Sequence, residues 1–120
     1  MDRTEALAGR RVLVVEDEYF LADSMAKGLE AGGAEVVGPV GDVDDALDLL
    51  DEAGALDGAV LDINLRGEMA FPVADALMER GVPFVFATGY DQAAIPERYG
   101  DVRRCEKPVE VARVAEALFG

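Results

Sequence analysis

The sequence predicts a doubly wound α/β domain, a five-stranded parallel sheet with helices on both faces. Two observations carry this. Short apolar runs alternate with helical patterns about five times, and the connections are too long for hairpins, which implies parallel strands joined by right-handed crossovers. The strongest runs are also apolar throughout rather than alternating, as strands covered on both faces are. At 120 residues, 51% of them apolar, the chain is long enough for one such unit and too short for two.

Met1 to Gly9 read as a short polar lead-in, and the expectation is one domain over residues 10–120 with no output domain. The first strand is "VLVVE", Val12 to Glu16. Leu21, Met25 and Leu29 then recur at four-residue spacing and line one face of a helix that Gly32-Gly33 ends. "AEVVGPV" is the second strand. Asp42 reads as the N-cap of the next helix, with Asp45 in its first turn ahead of Ala46, Leu47, Leu49 and Leu50. "GAVLDI" is the third strand. Pro72 suits the first turn of the following helix, Val73, Ala76, Leu77 and Arg80 continue it, and Gly81 closes it.

"PFVFAT" is a fourth, strongly apolar strand. Beyond it the pattern weakens. "GYDQAAIPERYG" has a central Pro96 and holds only a short or broken helix, and "DVRRCE" makes a poor fifth strand with Val102 and Cys105 its only apolar residues. The last helix is clearer, because Val111, Val114, Ala115 and Leu118 fall at i, i+3, i+4 and i+7.

Composition excludes several classes of function. Eleven Lys and Arg face 25 Asp and Glu, a formal charge of −14 that argues against nucleic acid or an anionic membrane as a partner and favours a cation. The absence of histidine removes His-based triads and His-ligated zinc. A single cysteine, Cys105, forms no internal disulfide, and no signal peptide or membrane span is visible, so the expected location is the cytoplasm.

In doubly wound folds function gathers at the carboxyl ends of the strands. Those ends carry Glu16 and Asp17 after the first strand, Asp62 after the third, Thr88 after the fourth and Lys107 after the fifth, while Pro39 and Val40 end the second without a polar group. Each has an ordinary reading, an acidic pair at a helix start, a turn aspartate, a Thr-Gly turn. Their convergence on one edge is what points further. Three carboxylates in a cleft repel unless a cation sits among them, and Mg2+ takes one or two carboxylates with phosphate oxygens completing its shell. Lys107 and Thr88 then suit phosphoryl oxygens, and Asp62 is the candidate nucleophile of an acyl-phosphate step.

These residues, in this order, resemble the receiver domain of bacterial two-component response regulators. The motifs "LVVEDE", "VLDINL", "FATGY" and "CEKP" carry the resemblance, which covers about Arg11 to Phe119. It implies a flavodoxin-like sheet order 2-1-3-4-5. It also implies that Asp62 accepts a phosphoryl group from a histidine of a sensor histidine kinase or histidine phosphotransfer protein. Asp17 and Asp62 would hold Mg2+ with the backbone carbonyl of Asn64, and Glu16 would act through water. Thr88 and Lys107 would bind phosphoryl oxygens, and Lys107-Pro108 would be a cis peptide. "FATGY" is similar to the FAT GUY subgroup of receivers, many of them stand-alone. Two positions depart from the family pattern: Arg104 stands where a switching aromatic is usual, and Val109 where phenylalanine often follows Lys-Pro. Tyr90, two residues after Thr88, is the candidate substitute switch, its ordinary reading being a turn aromatic packed on the weak segment after it.

The expectation is a single-domain regulator, monomer or weak dimer, that catalyses its own phosphorylation and dephosphorylation without being an enzyme on outside substrates. It would signal to a downstream protein or relay or drain phosphate. Two alternatives are a receiver-like module that binds without phosphate and an Asp-nucleophile phosphohydrolase, though the latter wants an acid where Asn64 stands. A flavodoxin-like carrier is a further alternative, but "EDEYF" would repel a flavin phosphate.

Overall fold

A computed structural model of the chain describes residues 3–89 and 95–120. The elements are a short 3-10 helix (Arg3–Leu7), β1 (Arg11–Val15), α1 (Tyr19–Ala31), β2 (Glu35–Val40), α2 (Val43–Ala53), β3 (Gly58–Asp62), the two-residue strands β4 (Asn64–Leu65) and β5 (Glu68–Met69), α3 (Phe71–Glu79), β6 (Phe84–Thr88), a 3-10 turn (Glu97–Tyr99), β7 (Arg103–Glu106) and α4 (Val111–Phe119). The main sheet is all parallel in the order β2-β1-β3-β6-β7, which is 2-1-3-4-5 when its own five strands are counted. β4 and β5 form a separate antiparallel pair.

Side-chain alternation along the strands sorts the core into two layers. Leu13, Val15, Leu61, Phe84 and Phe86 face one side, where Val43, Ala46 and Leu50 of α2 and Val73, Ala74 and Leu77 of α3 cover them. Val12, Val14, Val60, Val85 and Cys105 face the other, against Met25 and Leu29 of α1 and Val114 and Ala115 of α4. Every residue of β3 and β6 is buried, which explains why their sequences are apolar on both parities.

Local signals account for the helix ends. Asp42 caps α2 by accepting from the Asp45 amide at 2.8 Å, and Pro72 stands in the first turn of α3, whose end is closed by Gly81 at φ 68°. Glu18, at the start of α1, makes no side-chain cap. Tyr99, fully buried, stacks on Phe71 and donates its hydroxyl to Asp75 at 2.5 Å, which anchors the chain before β7. Burial, then the neighbouring Asp75, push that hydroxyl up to about 12.

Three features differ from the sequence expectation. The lead-in is not merely polar: Leu7 is fully buried among Val12, Leu29 and Val114, so the segment before β1 is part of the core. The chain between β3 and α3 forms the β4–β5 pair, whereas the fourth crossover, as expected of a short or broken helix, contains among its described residues the 3-10 turn. β2 also contains a cis Gly38-Pro39 peptide, and its register with β1 shifts between Leu13 and Val15. No helix among the described residues is long and apolar enough to cross a membrane.

Gly28 in α1 is set by a close approach. A Cβ there would stand 2.4 Å from Val111 Cγ2 on α4. Gly28→Ala, which on an open helix face stabilises by about 1 kcal/mol, should here lower the melting temperature, and adding Val111→Ala should recover most of the loss. Thermal melts of the two variants check this. A Gly28→Ala protein more stable than the parent would contradict the packing of α1 on α4.

Candidate functional site

The carboxyl ends of β1, β3, β6 and β7 converge as the topology requires. Glu16 and Asp17 follow β1, Asp62 ends β3, Thr88 ends β6 and Lys107 follows β7. An open cleft lies over these ends, bordered by Asp17, Asp62, Asn64, Arg66, Thr88 and Lys107. Among the described residues, Glu16, Asp62 and Thr88 are the buried polar or charged ones outside the aromatics and Cys105, at 9%, 6% and 5% exposed.

Lys107 is the electrostatic centre. Its Nζ lies 3.0 Å from Glu16 Oε1 and 3.1 Å from Asp62 Oδ2, one cation between two buried carboxylates. Its own amide donates to the Thr88 carbonyl at 2.8 Å, which locks β7 to β6 at the cleft, and Lys107-Pro108 is cis, as the resemblance implied. Burial pushes the ammonium down, but the hydrogen bonds to Glu16 and Asp62 outweigh it and hold Lys107 above its ordinary value.

The carboxylates outnumber this cation. Glu16, Asp17 and Asp62 each offer one oxygen within a sphere where all three lie within 4.8 Å of one another. Burial, then the adjacent Glu16, push Asp62 up to about 7 despite Lys107. Asp17 goes the other way: burial raises it, but hydrogen bonds with Glu16 and from the Arg66 amide hold it below the usual carboxylate range. An all-oxygen set of this kind, with a net negative charge beyond one lysine, suits a hard divalent cation, so the residues fit Mg2+.

Two further groups complete the site. The Thr88 hydroxyl borders the cleft, is buried, and makes no hydrogen bond with any described residue. A buried hydroxyl left so is unusual enough to mark a place for a ligand oxygen. Asn64 is exposed, and its side-chain Oδ1 accepts from the Gly67 amide at 2.8 Å, so the side chain closes the β4–β5 turn. Any role of Asn64 as a ligand therefore falls to its carbonyl.

Sequence reasoning missed two contributions. The end of β2, expected to add nothing, supplies backbone: the Glu16 amide donates to the Val40 carbonyl at 2.9 Å, and Gly41 packs against Asp17. Arg66 was also unseen. Its amide donates to Asp17 Oδ2 at 3.0 Å, and nothing in an arginine codon position signals the left-handed backbone, φ 55°, that aims it there. Arg104 is exposed on β7 and Val109 packs at the margin of the α1–α4 layer. Tyr90, the candidate switch, lies outside the described residues.

The fold and this constellation define a receiver domain, and the chain belongs to the receiver family of two-component response regulators. It is similar to SdrG from Sphingomonas melonis Fr1, at 42% identity over 94% of each chain with a TM-score of 0.78, and to SdrG in a BeF3-activated conformation at 41% identity and a TM-score of 0.73, covering 92% of this chain and 94% of that one. The response regulator PhyR from Brucella abortus matches at 27% identity and a TM-score of 0.72, over 96% of this chain and 51% of that one. The transcriptional regulatory protein PdtaR of Mycobacterium tuberculosis is 30% identical over 98 residues, 81% of this chain, and the chain spans about half the length of that relative. No protein-family model matches.

Proposed function

We infer that the chain is a phosphoacceptor: Asp62 takes a phosphoryl group from a phosphohistidine of a sensor kinase or phosphotransfer protein, and the changed surface is read by a protein partner or the phosphate is relayed or drained. The observation that carries this is the meeting, in one cleft, of a buried carboxylate held by Lys107 with the buried hydroxyl of Thr88, which has no hydrogen-bond partner among the described residues. A carboxylate beside a fixed ammonium and a free donor is what an incoming phosphoryl group needs on two of its oxygens.

Glu16, Asp17 and Asp62, with the Asn64 carbonyl, are the groups that would hold Mg2+. When bound, the cation supplies the positive charge that keeps these carboxylates ionised beside a phosphoryl anion. The chain's own residues do the rest. Asp62 Oδ attacks phosphorus as the bond to the donor's nitrogen breaks, Lys107 neutralises one phosphoryl oxygen, and Thr88 donates to another. Burial of Asp62 restricts the approach of water to the acyl phosphate. On this reading the chain acts on itself rather than on outside substrates, works in the cytoplasm as a monomer or weak dimer, and uses neither nucleic acid nor membrane as a partner.

The test is a nitrogen-15 NMR titration with beryllofluoride and Mg2+. In saturating Mg2+, adding beryllofluoride should shift the amides of Asp62, Thr88 and Lys107 beyond any change that Mg2+ alone produces, and should not do so in Asp62→Asn. A spectrum indifferent to beryllofluoride in saturating Mg2+ would sink the reading.

A further inference from the structure

Arg66 is the one non-glycine residue among the described ones with a positive φ, 55°, and it sits directly on the rim of the cleft. A Cβ in the left-handed region is unfavourable, and positions of this kind are ordinarily given to glycine. Gly67, the next residue, is such a glycine at φ 87°. The amide of residue 66 holds Asp17 in place, but any residue would supply that amide. What arginine adds is its side chain. That side chain is exposed and makes no hydrogen bond or ion pair with any described residue, so among them the side chain itself does nothing to offset the unfavourable backbone. Strain kept at the edge of a site points to use.

The surroundings say what the use is. The guanidinium extends toward the β2–α2 connection, its Nη2 3.6 Å from where a Cβ on Gly41 would stand, so its charge lies on the Glu16–Asp17 side of the rim. Of the residues bordering the cleft, Arg66 and Lys107 are the cations, and Lys107 is already held between Glu16 and Asp62. A phosphodonor is itself an anion. It has to approach three clustered carboxylates on a chain of net charge −14, and the exposed cation at the entrance is Arg66.

We propose that Arg66 is the donor-capturing residue of this site, drawing anionic phosphoryl compounds past the acidic rim. This rests on the phosphoacceptor reading above. With acetyl phosphate as donor, Asp62 Oδ bonds to phosphorus as the bond from phosphorus to the acetate oxygen breaks, the electron pair leaving with acetate. Arg66 takes no part in that exchange. Its contribution is to raise the local concentration of the dianion, an effect that ionic strength screens.

The experiment measures initial rates of Asp62 phosphorylation by acetyl phosphate in saturating Mg2+, at low and high salt, for the parent, Arg66→Glu, Arg66→Gly, Arg66→Lys and Arg103→Glu. Arg103 starts β7, at the end away from Lys107, so Arg103→Glu makes the same change in net charge far from the cleft. Arg66→Glu should be about tenfold slower at low salt, with the gap closing as salt rises, while Arg66→Lys and Arg103→Glu stay near the parent. Arg66→Gly should melt higher than the parent yet phosphorylate more slowly, a split that a purely structural role would not produce. Parental rates in Arg66→Glu or Arg66→Gly, or an equal slowing in Arg103→Glu, would overturn the proposal and leave the phosphoacceptor reading standing. A parent that acetyl phosphate does not modify at all would overturn both.

Discussion

Replacing Asp62 with asparagine should raise the melting temperature of the protein in EDTA at pH 8. Burial first, and Glu16 next, push the Asp62 carboxyl up to about 7, while the same group in an unfolded chain titrates at 3.8. The folded protein therefore keeps a proton that the unfolded chain has released. The stability this proton contributes is present in full below pH 4 and is lost as pH rises through about 7. At pH 8 the ionised Asp62, sharing Lys107 with Glu16, is a net burden on the metal-free fold. Asparagine removes the charge and keeps the shape. The gain should be about 2 kcal/mol, or roughly 5–10 °C in Tm. The parent should lose stability between pH 5 and pH 8 in a way that Asp62→Asn does not, and Mg2+ should raise the parent more than the variant. Equal melting of the two at pH 8 in EDTA would contradict the charge balance drawn for the site.

Removing the cation should do the opposite. Lys107→Met leaves Glu16 and Asp62 facing each other, both nearly fully buried, with no positive group between them. Losing one partner of a buried ionic cluster costs about 2–4 kcal/mol at pH 8, less at pH 5 where Asp62 takes up its proton. Mg2+ should restore part of the loss. Denaturant melts at the two pH values, with and without Mg2+, measure it. A Lys107→Met protein as stable as the parent at pH 8 would mean that the lysine is not what holds the carboxylates together.

These opposite signs follow from features that differ in how far the sequence exposes them. β1, β3 and β6 are legible because a strand covered on both faces needs every residue apolar, and a run such as Gly58 to Leu61 ending on Asp62 has no other economical reading. The convergence of Glu16, Asp17, Asp62, Thr88 and Lys107 follows from parallel topology alone. β7 reads poorly because an edge strand buries little: of its four residues only Cys105 is covered, and its pairing with β6 rests on backbone bonds that leave no trace in composition. The β4–β5 pair is too short for any period to show. Leu7 is a single apolar residue in a polar segment, and its burial depends on α4, more than a hundred residues away in sequence. Arg66 is the least legible of all. Its amide on Asp17 depends on a backbone conformation that its side chain disfavours, so local propensity points away from what the fold does there.

Whether Asp62 is a Mg2+-dependent phosphoacceptor is decided by intact-protein mass spectrometry after incubation with acetyl phosphate. The parent should gain the mass of one phosphoryl group in Mg2+, none in EDTA, and none in Asp62→Asn under either condition. A parent that gains nothing in Mg2+, or an Asp62→Asn protein that gains as much as the parent, would contradict that role.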